Sequence, residues 1–92
     1  MVAMNWSVYI ILCSDDSLYT GISTDVKRRF HQHQTGKGAK YFRSRQPQKI
    51  VFLDTGHCHS SAAQLEMRIK KMKRSDKASL ISARNTQVAE EK

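Results

Sequence analysis

Four side chains that could do acid–base or anion-binding chemistry lie close together in the first part of the chain. They are two tyrosines and an arginine–histidine pair: Tyr9, Tyr19, Arg29 and His33. A tyrosine can orient or deprotonate an attacking water once a nearby cation lowers its pKa from about 10. An arginine can bind a phosphate and stabilise the charge that grows on it, while a histidine can transfer a proton. Arg29 and His33 are four residues apart and therefore neighbours on one helix face.

Each of these residues also has an ordinary structural explanation. Strand tyrosines commonly pack against each other across a sheet. Arg29 ends a basic run with Lys27 and Arg28, which is typical of a solvated helix face. His33 could be a polar surface residue. The residue types alone leave these alternatives open, and they do not decide which tyrosine would be the base.

A β-hairpin is predicted to carry the two tyrosines. The β-branched and aromatic run Val8–Leu12 is followed by turn residues at 14–17, and 18–22 reads as the returning strand. Gly21 would allow close approach beside the second tyrosine, where a side chain would obstruct it.

A helix is predicted to follow the hairpin directly. Ser23 or Thr24 can cap it, and Asp25 is favourable near its positive end. Gly36 suits a left-handed helix terminus.

The remaining elements complete a small fold. Lys49–Asp54 is apolar enough for a central strand, and Ser61 with Gln64 resembles a capping box for a helix running to about Arg74. Ser75 would open a last helical turn or two. We therefore predict an α+β domain with a small, mainly antiparallel three-stranded sheet packed with two to three helices.

Glu66 lies at the edge of the apolar stripe of that later helix. A carboxylate there costs free energy unless it is paired or binds a cation. It could hold a hard divalent ion, or form an i,i+4 ion pair with Lys70 that stabilises the helix by only about 0.3–0.5 kcal/mol.

Composition favours a nucleic-acid partner. The 92 residues carry 16 Lys and Arg against 8 Asp and Glu, a net charge of +8.

The longest apolar run, Val8–Cys13, is far too short to span a membrane, and no signal peptide is visible. Cys13 and Cys58 form no disulfide framework, so we expect a cytoplasmic protein. One domain is expected over residues 1–84, with a flexible tail over 85–92.

Basic residues are grouped at three places. A loop with adjacent aromatics combines charge with stacking surface, which suits unpaired strands. Solvated, solubilising charge is the ordinary alternative. The candidate nucleic-acid-binding residues are Lys27, Arg28, Lys37, Lys40, Tyr41, Arg43, Arg45, Lys70 and Lys73.

Residues 7–80 resemble the GIY-YIG nuclease domain, above all its small, stand-alone bacterial members. The first family triplet is matched by Ser7-Val8-Tyr9 and the second by Tyr19-Thr20-Gly21. Ser23, Arg29, His33 and Glu66 match the positions that follow in the family pattern.

The resemblance implies a GIY-YIG-like fold and a divalent-metal-dependent endonuclease. Tyr9, Tyr19, Arg29, His33 and Glu66 would be catalytic, with Glu66 holding Mg²⁺ or Mn²⁺. The expected partner is DNA, single-stranded or branched, in repair or recombination; a protein partner is not implied.

One family position departs from the pattern, and two other functions stay open. The family often has an Asn after its Glu, but none occurs between Met67 and Arg84, so Lys73 or Lys77 could replace it. A non-catalytic nucleic-acid-binding module is the first alternative. The second is a zinc site on residues 57–59 with His31 and His33, although that spacing matches no usual zinc pattern.

Overall fold

A computed structural model describes residues 3–36 and 45–90, with side chains as far as residue 83. The described elements are β1 (Trp6–Cys13), β2 (Leu18–Ser23), α1 (Val26–Gln34), β3 (Pro47–His57), α2 (His59–Lys70) and α3 (Arg74–Glu90). All strand pairs are antiparallel, in the order β2-β1-β3. The predicted α+β class with a three-stranded sheet is confirmed.

The first strand, not the third, is central. Residues 8–11 of β1 are buried on both faces of the sheet, as expected for a strand with a neighbour on each side. The prediction of a central third strand was wrong, because β3 lies at an edge. It also exposes Gln48, Lys49 and Leu53, while Phe52 and Ile50 pack into the cores on opposite faces of the sheet.

Side chains of β1 alternate between two separate cores. Val8 and Ile10 pack against Ala62 and Ile69 of α2. On the other face, Tyr9, Ile11 and Cys13 are buried under residues of α1. The sheet is thus a middle layer, and the face that carries Tyr9 is the one covered by α1.

The helix after the hairpin begins one residue later than its predicted caps suggest. Asp25 is the N-cap, and its carboxylate accepts a hydrogen bond from the Arg28 backbone N–H at 3.1 Å. Ser23 Oγ accepts instead from the Asp25 backbone N–H at 2.9 Å, which fixes the chain just before the helix. The expected left-handed terminus is present, since Gly36 has φ +79°.

The predicted capping box at Ser61 was wrong. Cys58 is the N-cap of α2, and its sulfur accepts from the Ser61 backbone N–H at 3.5 Å. This hydrogen bond lowers the pKa of the Cys58 thiol. The helix ends at Lys70 rather than near Arg74, and α3 is much longer than the turn or two expected. A flexible tail over residues 85–92 stays a prediction.

Candidate active site

Tyr9 and His33 form the buried centre of the site. The Tyr9 hydroxyl and His33 Nε2 are 3.2 Å apart and hydrogen-bonded. Each side chain is only 1% exposed. A strand near the chain start and the last turn of α1 are therefore joined by a buried polar contact.

Gly21 makes room for the Tyr9 ring. The two residues are directly opposite each other in the β1–β2 ladder. A Cβ on Gly21 would lie 2.6 Å from Tyr9 Oη, 2.7 Å from Tyr9 Cζ and 3.2 Å from Tyr19 Cε2. The predicted steric role of this glycine is confirmed, and the ring that needs the space is mainly that of Tyr9.

Tyr19 and Arg29 complete the cluster on the same side of the sheet. The Tyr19 ring lies edge-on to the His33 ring with centroids 5.3 Å apart, and 6.4 Å from the Tyr9 ring. Arg29 Nη1 donates to Gln32 Oε1 at 3.1 Å. Gln32 was missed in the sequence, although its i+3 spacing from Arg29 is a usable signal.

Burial keeps both members of the Tyr9–His33 pair neutral. Burial and the nearby Tyr19 raise the pKa of Tyr9 to about 12, a rise that the Arg29 guanidinium opposes. Burial, and then the positive charge of Arg29, lower the pKa of His33 to about 4. Ionising Tyr9 at pH 7 would cost about 7 kcal/mol, at about 1.4 kcal/mol for each unit of pKa.

Glu66 lies on α2, the helix that packs on the other face of the sheet. Its carboxylate is one of the charges that raise the pKa of Tyr9, so the two groups lie within electrostatic reach. The carboxylate also forms the predicted ion pair with Lys70, with Nζ and Oε2 3.3 Å apart. The Glu66 side chain is 24% exposed and the Lys70 side chain 54%, so water reaches the pair and the attraction is weak.

The predicted nucleic-acid-binding residues lie at several places. Lys27 and Arg28 are exposed on α1, and Lys70 and Lys73 are exposed at and after the end of α2. Lys37, Lys40, Tyr41 and Arg43 lie outside the described residues. No helix in the described part of the chain is both long and apolar enough to cross a membrane.

Arg45 is engaged by a carboxylate. Its Nε donates to Asp15 Oδ2 at 2.7 Å, across thirty residues of chain. Hydrogen bonds from Ser17 and Arg45 lower the pKa of Asp15 to about 2. Nucleic-acid binding by Arg45 stays a prediction, and it would require a phosphate to compete with Asp15.

The zinc hypothesis is not supported by the structure. Among the described side chains, those of residues 3–36 and 45–83, no group of three or more His, Cys, Asp or Glu could hold a metal ion. His33 is buried against Tyr9 and Cys58 caps α2, while His57 Nε2 donates to Asp54 Oδ2 at 2.8 Å. His57 Nδ1 is also hydrogen-bonded to Ser61 Oγ at 2.9 Å, so the candidate ligands have other partners.

Fold and side chains together define a class of protein. Two strand tyrosines, a helix arginine and a helix histidine lie together on an α+β scaffold, with a glutamate on a later helix. The model of the GIY-YIG catalytic domain matches residues 5–79, and the chain belongs to this family.

Relatives from several bacteria share most of the chain. A UPF0213 protein of Vibrio cholerae is 45% identical over 78 residues, covering 84% of this chain and 77% of the relative. The UPF0213 protein YhbQ of Salmonella typhimurium is 43% identical over 79 residues, covering 86% and 79%. The solution structure of a UPF0213 protein from Bacillus halodurans is 42% identical, with a TM-score of 0.57, and covers 87% of this chain and 85% of that one. These names state no activity.

GIY-YIG nucleases generally use divalent metals, and the donor set here suits one kind of ion. Glu66 is the carboxylate whose charge reaches Tyr9, and it is partly open to water. A single carboxylate can hold a hydrated Mg²⁺ or Mn²⁺ that takes its other ligands from water and a substrate phosphate. It would not form a closed structural metal site.

Proposed function

We propose that this protein is a divalent-metal-dependent endonuclease that hydrolyses DNA phosphodiester bonds. The observation that carries the proposal is the tyrosine–histidine cluster, formed by three consecutive elements around the Tyr9–His33 hydrogen bond. Arg29 and Glu66 lie within electrostatic reach of that cluster. Together these groups supply a phosphate-binding cation, a water-orienting hydroxyl and a metal-binding carboxylate.

Tyr19 is the better candidate for contact with the attacking water. It is partly exposed, whereas Tyr9 is 1% exposed and its pKa is raised to about 12. The hydroxyl of Tyr9 is also engaged by His33. We therefore assign Tyr9 and His33 to holding the Tyr19 ring in place, and Tyr19 to orienting or deprotonating the water.

Arg29 and Glu66 would offset the negative charge of the phosphate, Arg29 directly and Glu66 by holding a cation. The Arg29 guanidinium, steadied by Gln32, would bind the scissile phosphate and stabilise the negative charge of the transition state. Glu66 would hold the divalent ion, releasing Lys70 as it does so. When bound, that ion polarises the phosphate and helps a nearby water to ionise.

The charge pattern supports a DNA substrate held mainly through its backbone. The net charge is +8, and Lys27 and Arg28 are exposed on the helix that carries Arg29. Such contacts fix a nucleic acid in position without reading its sequence. We propose a structure-selective or single-strand-selective activity in DNA repair or recombination, because a domain this small has little surface for reading long sequences.

The test is cleavage of labelled single-stranded, duplex and branched DNA in Mg²⁺, Mn²⁺ or EDTA. We expect metal-dependent products from the wild type and at least a roughly 100-fold slower reaction for Glu66→Gln. Asp76→Asn, which removes an exposed carboxylate from α3, is the matched control and should cleave normally. Equal rates for wild type and Glu66→Gln in the same preparations would refute the role of Glu66.

The Glu66–Lys70 ion pair favours one second candidate, a nucleic-acid-binding module without catalysis. In that case Lys70 would neutralise the carboxylate permanently and no metal would bind. Such a protein would bind DNA with steep salt dependence but cleave none of the substrates. The wild type separates the two: metal-dependent cleavage that Glu66→Gln abolishes supports the nuclease, and salt-sensitive binding without cleavage supports the module.

A further inference from the structure

A shallow depression of about 580 Å³, open to solvent and termed the groove, is lined by one face of α2 and the residue that follows it, and no residue of the tyrosine cluster lines it. Its lining includes Ala63, Gln64, Met67, Arg68 and Lys71. The accessible lining is mainly apolar. Met67 is 59% exposed and contributes apolar surface to this lining.

The charge of the groove points to a polyanion. Two of its lining side chains are cationic, Arg68 and Lys71, and none is acidic. Lys70 and Lys73 are exposed close by in the chain. An apolar strip with a cationic margin fits a partner that offers flat apolar groups and regularly spaced negative charges.

Unpaired nucleotides have that chemistry, while duplex DNA hides its bases. Met67 and Ala63 would contact the face of an unstacked base, and Arg68 and Lys71 the phosphates on either side. Gln64 adds an amide that can hydrogen-bond a base edge. His59, at the start of α2, is held edge-on against Trp6 with ring centroids 4.6 Å apart and offers a further stacking ring.

The proposed metal ligand is a neighbour, along the helix, of one residue that lines the groove. Glu66 is a helix neighbour of Ala63 at i−3 and of Lys70 at i+4, so it borders the groove along one side. A strand lying in the groove would therefore pass beside the Glu66 carboxylate.

We propose that the outer groove of α2 binds an unpaired segment of the nucleic-acid substrate and gives the enzyme its preference for single-stranded DNA. This rests on the nucleic-acid partner of the proposed function, but not on cleavage.

The experiment measures binding by fluorescence anisotropy in EDTA, with labelled oligothymidylate and a duplex of equal phosphate number. Met67→Ala should weaken oligothymidylate binding by about 5- to 10-fold and duplex binding by less than about 2-fold, because only the unpaired strand presents base faces. Met4→Ala is the matched control, since Met4 is a second methionine that is 58% exposed. It should bind both ligands as the wild type does.

A second variant tests the cationic margin. Arg68→Gln combined with Lys71→Gln should weaken the binding of both ligands. For oligothymidylate, the slope of the logarithm of the binding constant against the logarithm of the salt concentration should also become less steep by about 1.4. This is about 0.7 for each phosphate that is no longer neutralised.

The groove proposal is overturned if Met67→Ala leaves oligothymidylate binding unchanged or weakens the binding of both ligands equally. It is also overturned if the wild type is a dimer in solution and Met67→Ala converts it to a monomer, because the groove would then be an interface between two copies of the chain. If Met67→Ala weakens oligothymidylate binding more than duplex binding but the wild type cleaves no substrate, the groove proposal stands and the nuclease proposal falls. If the protein cleaves DNA but Met67→Ala does not change the binding of oligothymidylate, the nuclease proposal stands and the groove proposal falls.

Discussion

Acid should destabilise this protein through one buried histidine. His33 is 1% exposed, and burial together with the Arg29 charge lowers its pKa from 6.5 to about 4. Below pH 6.5 the unfolded chain binds a proton at His33 that the native protein does not bind. The free energy of unfolding therefore falls as the pH falls, and this loss is complete below about pH 4.

The size of the effect follows from the two pKa values. A pKa difference of about 2.5, at about 1.4 kcal/mol per unit, gives at most about 3 kcal/mol. That is a large share of the about 5–15 kcal/mol by which small domains are stable. At pH 7 the effect is absent, because His33 is neutral in both states.

Urea unfolding at pH 7, 6, 5 and 4 measures this, comparing the wild type with His33→Gln. The variant should be less stable at pH 7, by about 1–3 kcal/mol, because it loses buried packing and the hydrogen bond with Tyr9. The difference in free energy of unfolding between the wild type and His33→Gln should shrink by up to about 3 kcal/mol at pH 4. The protonation of other groups affects both proteins equally and therefore cancels in the comparison.

His31→Gln is the control, since His31 is exposed on the same helix. It should follow the wild type at every pH. A constant difference between wild type and His33→Gln from pH 7 to pH 4 would refute the assignment of a neutral, buried His33.

Four further substitutions test the packing and the chemistry. Gly21→Ala should destabilise the fold by about 1–3 kcal/mol in urea unfolding and reduce cleavage, because its Cβ would lie 2.6 Å from the Tyr9 hydroxyl; a neutral result would contradict the close packing. Thr20→Val should stabilise by about 1 kcal/mol, measured as a higher Tm, because the Thr20 hydroxyl is buried with no hydrogen-bond partner in the described part of the chain; a loss of stability would reveal a bound water or another partner. Tyr19→Phe should lower kcat about 100-fold with little change in the free energy of unfolding. Tyr9→Phe should lower the free energy of unfolding by about 1 kcal/mol and kcat only about tenfold. If Tyr9→Phe lowers kcat more than Tyr19→Phe does, Tyr9 is the base.

Local sequence signals determined the hairpin and the first helix. Turn residues at 14–17 separate two strands whose tyrosines face the same side, because side chains alternate along a strand. Capping residues before α1 and Gly36 after it fixed that helix to within a residue or two. Tyr9, Tyr19, Arg29 and His33 follow from these elements and their spacing, since neighbours in the chain are also neighbours in space here.

Long-range packing decided what local signals could not show. The apolar run in β3 could have been central or at an edge, and only the pairing of β1 with both other strands settled it. Likewise, Cys58 caps α2 in place of Ser61, because β3 continues to His57 and α2 begins at His59, which leaves Cys58 between the two elements.

The protonation state of the site also depends on tertiary structure. The spacing of Tyr9 and His33 predicts that they could meet, but not that both would be 1% exposed and neutral. Burial is a property of the packed layers around a side chain, and α1 supplies that cover only after it packs on the sheet. The order and types of residues therefore determined which groups are available, and the fold decided which of them carry charge.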